Sequence, residues 1–161
     1  MNTHHGDTES RRGTGLLSEA LTEGIIGAAI EVHRQLGTGL LESVYEDCMC
    51  EELRLRDIPF KAQVELPIIY KGRNTGGIYR LDLIVADEVV VELKAIEKLL
   101  NVHEPQLLTY LKLTGKHVGL MINFNVSILA ARHHAPSPMR RTSLRAPVSR
   151  WWVLGVRGTL A

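Results

Sequence analysis

A chain of 161 residues that is 45% hydrophobic and 23% charged suits one globular domain of ordinary composition with a real core. Its net charge of +1 is unevenly spread: Arg132, Arg140, Arg141, Arg145, Arg150 and Arg157 fall within residues 132–161 without a single acid or lysine, and removing those six leaves about −5 for residues 1–131. That balance excludes a broad basic nucleic-acid surface on the folded part but allows a local acidic cluster that gathers metal ions. Cys48 and Cys50 are the only cysteines, and side chains two apart on a helix diverge, so neither a disulfide framework nor a four-thiolate zinc site is supported. The apolar stretch Gly24–Ile30 is too short to span a bilayer and has no cleavage-site flank. Neither a signal peptide nor a membrane segment is expected, and the cytoplasm is the expected location.

Residues 1–14 are polar and non-periodic, which predicts a disordered leader before a folded domain over 15–130. Leu17, Ala20, Leu21, Ile25, Ala28, Ala29, Val32 and Leu36 recur at three- and four-residue steps, predicting an amphipathic helix closed by Gly37-Thr38-Gly39. A second helix, carrying Leu41, Val44, Tyr45, Cys48, Leu53 and Leu55, ends at Asp57-Ile58-Pro59. The period then drops to two. Gln63–Tyr70 is predicted as a strand that Pro67 confines to an edge or a bulge, and Lys71–Gly77 as a loop. Ile78–Val85 and Val89–Ala95 are predicted strands joined by the turn Ala86-Asp87-Glu88. A helix over Val102–Thr114 follows, with Asn101 as its cap, Pro105 in its first turn and Gly115 at its end, and His117–Asn123 is a further strand. Beyond Leu129 the periodicity fades, leaving residues 131–161 as a basic tail without strand or helix.

Within the valine-rich run Val89–Ala95, Glu92 and Lys94 are two charges in a segment otherwise apolar enough to be buried. An unpaired ion in an apolar interior is costly, so charges at such positions normally have a partner, a metal or a task. Strand alternation puts Glu92 and Lys94 on one side and Val91, Leu93 and Ala95 on the other. A three-residue turn at 86–88 sets Asp82 opposite Glu92 and Arg80 opposite Lys94, with facing Cβ atoms about 5 Å apart. Two facing carboxylates repel unless a cation lies between them. Hard oxygen ligands without thiolates suit Mg²⁺, or Mn²⁺ in its place, better than zinc. Lys94 adds a positive charge where an attacked phosphate would gain negative charge, which points to phosphoryl chemistry. The competing reading is a cross-strand salt-bridge cluster at a sheet surface.

An Asp on one strand followed by Glu-x-Lys on the next resembles the signature of the PD-(D/E)XK nuclease superfamily. Gly39-Leu40-Leu41-Glu42-Ser43-Val44-Tyr45 resembles the motif that names the GxxExxY proteins, a branch of that superfamily. Gln106-Leu107-Leu108-Thr109-Tyr110 is similar to the Gln-x-x-x-Tyr motif of RecB-like and lambda-exonuclease-like nucleases. The resemblance extends from about Leu17 to Leu129. It implies an α/β restriction-endonuclease-like core: a central mixed sheet flanked by helices, with a helical N-terminal half. It further implies a Mg²⁺-dependent nuclease in which Asp82, Glu92 and Glu42 hold the metal and Lys94 orients or activates the attacking water. Gln106 and Tyr110 would line the active site or touch a nucleic-acid substrate, DNA ahead of RNA.

Each of these residues has a plainer reading. Glu42 could be a first-turn acid that favours its helix N-terminus, Gln106 and Tyr110 an ordinary polar helix face, and His103 a helix-start histidine. Tyr45 is expected in the core. Glu46, Asp47, Glu51 and Glu52 are expected to be a solvated acidic face, with Glu46 one turn from Glu42, and Arg80 would contact a phosphate or balance Asp82 and Glu92. The tail, with Trp151-Trp152 among its arginines, could grasp nucleic acid or be a poorly ordered addition. The alternatives to a nuclease are a catalytically silent nucleic-acid-binding module with the same fold and a protein-interaction domain using the acidic helix face. A homodimer, or a partner that supplies nucleic-acid contacts, would suit a domain with so little basic surface.

Overall fold

The computed structural model describes residues 7–127, 129, 131–134 and 150–154. In chain order it contains helices α1 (Asp7–Leu36) and α2 (Glu42–Leu55), strands β1 (Phe60–Tyr70), β2 (Arg73–Val85) and β3 (Val89–Lys94), helix α3 (His103–Thr114), and strands β4 (Val118–Asn123), β5 (Ala131–His134) and β6 (Arg150–Leu154). The strands form one sheet in the order β1-β2-β3-β4-β6-β5. β1, β2 and β3 are antiparallel neighbours, β3 runs parallel to β4 and β4 to β6, and β5 is antiparallel to β6. The fold is α/β with a mixed sheet, consistent with a restriction-endonuclease-like core.

β3 lies in the middle because both of its faces are apolar. Val89, Val90 and Val91 are wholly buried, as a strand covered on both sides must be. On one face Val89, Val91 and Leu93 pack with Ile25, Ala28 and Ala29 of α1 and with Tyr45, Met49 and Leu53 of α2. On the other, Val90 and Met121 pack with Leu107, Tyr110 and Leu111 of α3. α3 is the crossover that two parallel strands require. It seats closely because Gly119 of β4 has no side chain, and a Cβ there would stand 3.2 Å from the Leu107 side chain. Gly115 ends α3 with φ 68°, a left-handed conformation that suits glycine.

The β1–β2 hairpin carries the main irregularity. Its register skips the pair Gln63/Asp82, and Gln63 has φ 51°. On either side of that gap the strands change face. Leu83 and Val85 join the α1–α2 core, whereas Leu81, two residues earlier, joins the α3 core, and Phe60 and Val64 divide in the same way on β1. Asp82 therefore sits at the switch point.

Four sequence expectations need correction. α1 begins at Asp7 rather than after residue 14, since helix propagation adds a bond per residue without needing an apolar stripe; residues 1–6 lie outside the described residues. The expected loop over 71–77 is only the turn Lys71-Gly72, both at positive φ, while Arg73–Gly77 belong to β2. The turn residues instead form a bulge, because between the pairs Pro67↔Ile78 and Ile69↔Asn74 three residues of β2 face one of β1. Asn101 does not cap α3: the cap position is Val102, and the His103 Nδ1 accepts the Leu100 N–H at 3.1 Å. The basic tail also contributes strands, β5 and β6, whose four and five residues are too short to display a period and gain their partners from β4 and each other. Residues 135–149 and 155–161 of that tail lie outside the described residues. Pro67 does lie on an edge strand, and the turn between β2 and β3 has the expected three residues, with Val85 paired to Val89.

Candidate active site

The β2–β3 ladder stops at Leu83↔Val91, one pair short of Asp82 and Glu92. In place of a backbone carbonyl of β2, the Asp82 Oδ2 accepts the Leu93 N–H at 2.7 Å. Strand pairing thus gives way to a side-chain contact at the level where the charges begin. β3 keeps its other partner throughout, since Glu92, Leu93 and Lys94 remain paired with Met121, Ile122 and Asn123 of β4.

Glu92 is only 2% exposed. Its Oε1 accepts a hydrogen bond from the Lys94 ammonium at 2.7 Å, and its Oε2 is buried with no hydrogen-bond partner among the described residues. Glu42, the first residue of α2, reaches the same end of β3. Its Oε2 accepts the Ala95 N–H at 3.2 Å and its Oε1 lies 3.7 Å from the Lys94 Nζ. From α3, Tyr110 is buried and accepts a hydrogen bond from the Gln106 Nε2 at 2.8 Å. The charges of Glu92, Lys94 and Asp82 all reach the Tyr110 hydroxyl, whose pKa is raised by burial above all. Glu42, Asp82, Glu92 and Lys94 therefore meet at the C-terminal end of β3, with Tyr110 within reach of their charges and Gln106 joined to Tyr110.

Burial dominates the electrostatics. It raises the Asp82 carboxyl to about 6, against the pull of the Leu93 N–H and the Lys94 charge. It raises Glu92 to about 7, with the Asp82 charge adding to the rise and the Lys94 hydrogen bond opposing it. Burial also works against the Lys94 ammonium, but the Glu92 hydrogen bond and the charges of Glu92, Glu42 and Asp82 outweigh it and leave the amine above its ordinary value. His103 is lowered by burial and by the Lys94 charge, so the site's cation reaches the start of α3.

The carboxylates can be tested against a divalent cation. Glu92 Oε2 is an orphaned buried oxygen among the described residues, and burial raises both Glu92 and Asp82, so the donor set fits a hard cation. Among the described residues no three His, Cys, Asp or Glu side chains are already drawn into a metal-holding group. Asp82 and Glu42 instead hold backbone N–H groups of β3 and the residue after it.

Other charged residues fall outside the group. Arg80 pairs with Glu65 across the β1–β2 ladder at 3.2 Å, both well exposed, rather than balancing Asp82 and Glu92. Glu51 and Glu52 pair with Arg54 and Arg56 on their own helix and its end. Glu46 accepts a hydrogen bond from Gln63, and its charge reaches Asp82. Tyr45 is wholly buried, stacked on Phe124 with ring centroids 4.5 Å apart, and donates its hydroxyl to the Gly37 carbonyl at 2.8 Å.

Asn123 was not legible as a site-building residue. It is 2% exposed, its Oδ1 accepts the N–H groups of Ile96 and Asn125, and its Nδ2 donates to the Ile96 carbonyl at 2.8 Å. With Phe124 N–H bonded to the Lys94 carbonyl at 2.8 Å, it fixes the path of the chain as it leaves β3 beside Lys94. Its one sequence signal is the same as that of Glu92, a lone polar residue closing an apolar strand.

A family model of the PD-(D/E)XK nuclease superfamily matches residues 19–134, which is 116 of the 161 residues. The chain belongs to the PD-(D/E)XK nuclease superfamily. No curated protein and no solved structure matches it. The superfamily consists in general of nucleases, hydrolases that act on nucleic acid and typically use divalent metals, which suggests a nuclease-type function for the domain. No helix among the described residues is long and apolar enough to cross a membrane.

Proposed function

We propose that this protein is a Mg²⁺-dependent nuclease of the GxxExxY branch, hydrolysing phosphodiester bonds in DNA or RNA at the C-terminal end of β3. The observation that carries this reading is Glu92: a buried carboxylate with one oxygen on Lys94 and the other without a partner among the described residues, beside Asp82. A purely structural ion pair would satisfy both oxygens, because a buried unpaired acceptor is costly. The branch assignment is supported by separate tasks for the motif's residues: Gly39 turns the chain at φ 95°, Glu42 reaches the end of β3, and Tyr45 anchors the helix in the core.

Asp82, Glu92 and Glu42 would hold the ion; when bound, Mg²⁺, or Mn²⁺ in its place, supplies a Lewis acid that polarises the scissile phosphodiester. Lys94 carries three N–H donors and uses one on Glu92, which leaves two for a water and a phosphate oxygen. It orients the water and stabilises the negative charge that grows on phosphorus-bound oxygens during attack. Gln106 and Tyr110, joined to each other, would flank the substrate on the α3 side.

The rival reading is a silent module in which Glu92 and Lys94 are a closed ion pair, favoured by their 2.7 Å contact. Cleavage assays with Mg²⁺ or Mn²⁺ on single-stranded, double-stranded and branched DNA and RNA separate the two. Wild type is expected to cleave, with Lys94→Ala and Glu92→Ala inactive; cleavage unchanged in both variants would overturn the assignment.

A further inference from the structure

Beside the charged group lies a hollow of about 430 Å³ bounded by Tyr79 of β2 and by Val102, Pro105, Gln106, Thr109 and Tyr110 along α3. The Tyr79 ring meets the buried Tyr110 ring edge-on, with centroids 5.7 Å apart and planes at 70°. That contact uses one side of the pair, and Tyr79 remains 38% exposed. The hollow therefore combines an accessible aromatic ring with apolar surface from Val102 and Pro105, both exposed. It also has a polar margin. Gln106 spends one N–H on Tyr110 and retains its carbonyl oxygen and a second N–H, while the Thr109 hydroxyl donates to the Pro105 carbonyl and keeps its oxygen as an acceptor.

A flat heterocycle with a π face and a hydrogen-bonding edge matches that combination. Nucleobases stack on aromatic side chains in this way only when unpaired, because in a duplex their faces are already stacked and their edges paired. Tyr110 is a wall of the hollow and also feels the charges of Glu92, Lys94 and Asp82, so an occupant would adjoin the reacting groups. The turn of the same hairpin offers charge of the matching sign, since Lys71 and Arg73 are both exposed there. Two exposed cations suit a phosphate backbone, in a domain that is otherwise acidic.

We propose that the hollow between Tyr79 and Gln106 stacks one unpaired nucleobase next to the scissile phosphodiester, so that the substrate is single-stranded nucleic acid or a single-stranded end. This rests on the nuclease reading for the position of the cut, but the binding it describes needs no cleavage. The test measures fluorescence anisotropy of the full chain in EDTA with labelled oligothymidylate, oligouridylate and a duplex of equal length. Wild type binds the single strands more tightly than the duplex. Tyr79→Ala weakens single-strand binding by roughly 5- to 150-fold, the range for loss of one base–aromatic stack. Tyr79→Leu, which keeps apolar bulk for folding, loses nearly as much, and Tyr79→Phe binds as wild type, with thermal melting as the check on folding. Tyr79→Leu binding like wild type, or a preference for the duplex, overturns the proposal. If Tyr79 variants lose binding while Lys94→Ala cleaves normally, the stacking site stands and the catalytic assignment falls; the reverse pattern keeps the catalytic assignment and removes the stacking site.

Discussion

The two halves of β3 share one backbone geometry and one neighbour, β4, yet they tolerate opposite chemistry. Val89, Val90 and Val91 are paired on both sides, to β2 and to β4, and are wholly buried. Glu92, Leu93 and Lys94 keep β4 but lose the β2 ladder, and in the space it leaves the Asp82 carboxylate takes a backbone N–H. Charge enters the sheet where a ladder ends, because side chains can replace the missing backbone partner there and the strands need no longer close on each other. In the first half a charge has no such relief.

Moving a charge into the first half should break the contrast most severely. Val91→Asp buries a carboxylate with no cation beside it and should cost more than about 4 kcal/mol, enough to leave little folded protein in urea titration or circular dichroism. Lys94→Ala removes the only cation of the second half's trio and should lower cleavage about 10²- to 10⁴-fold while the far-ultraviolet spectrum stays that of the wild type.

Glu92→Gln sharpens the contrast through pH. A carboxyl raised from 4.5 to about 7 keeps its proton in the folded protein after the unfolded chain has released it, so folding stability is lost as pH rises through that window. Asp82, raised from 3.8 to about 6, acts in the same direction at lower pH. Without metal, the wild type should therefore be less stable at about pH 7.5 than at about pH 5, by on the order of a few kcal/mol. Glu92→Gln should flatten the upper part of that slope in thermal or urea denaturation with EDTA. The smallest effect belongs to Arg80→Ala, whose exposed pair with Glu65 is worth about 0.5 kcal/mol or less, and which should leave cleavage unchanged.

What the sequence displayed was whatever neighbouring residues decide together. The three-residue turn, the Gly115 cap and the edge position of Pro67 each follow from local backbone chemistry, and the period-two run that contains Glu92 announced its own anomaly. The facing of Asp82 and Glu92 was legible in register but not in bonding. Nothing local says that the Asp82 carboxylate takes the Leu93 N–H, eleven residues on, or that the ladder ends one pair earlier. The face switch at Gln63 and Asp82 is hidden for the same reason, since alternating apolar residues run through it unchanged in parity. The contact of Tyr79 with Tyr110 of α3 joins residues 31 positions apart, and the bonds of Asn123 to Ile96 join residues 27 apart, so neither leaves a local sign. β6 depends on pairing with β4, which a five-residue window does not contain.

The hydrogen bond from Leu93 to Asp82 also makes one amide a spectroscopic observer of the chemistry. Most sheet N–H groups in this fold point at carbonyls, which do not titrate; this one points at an acid that changes charge near pH 6. Its proton and nitrogen resonances in a ¹⁵N-labelled sample follow the ionisation of Asp82 directly. They would respond to added Mg²⁺ from within the sheet, with no substrate present.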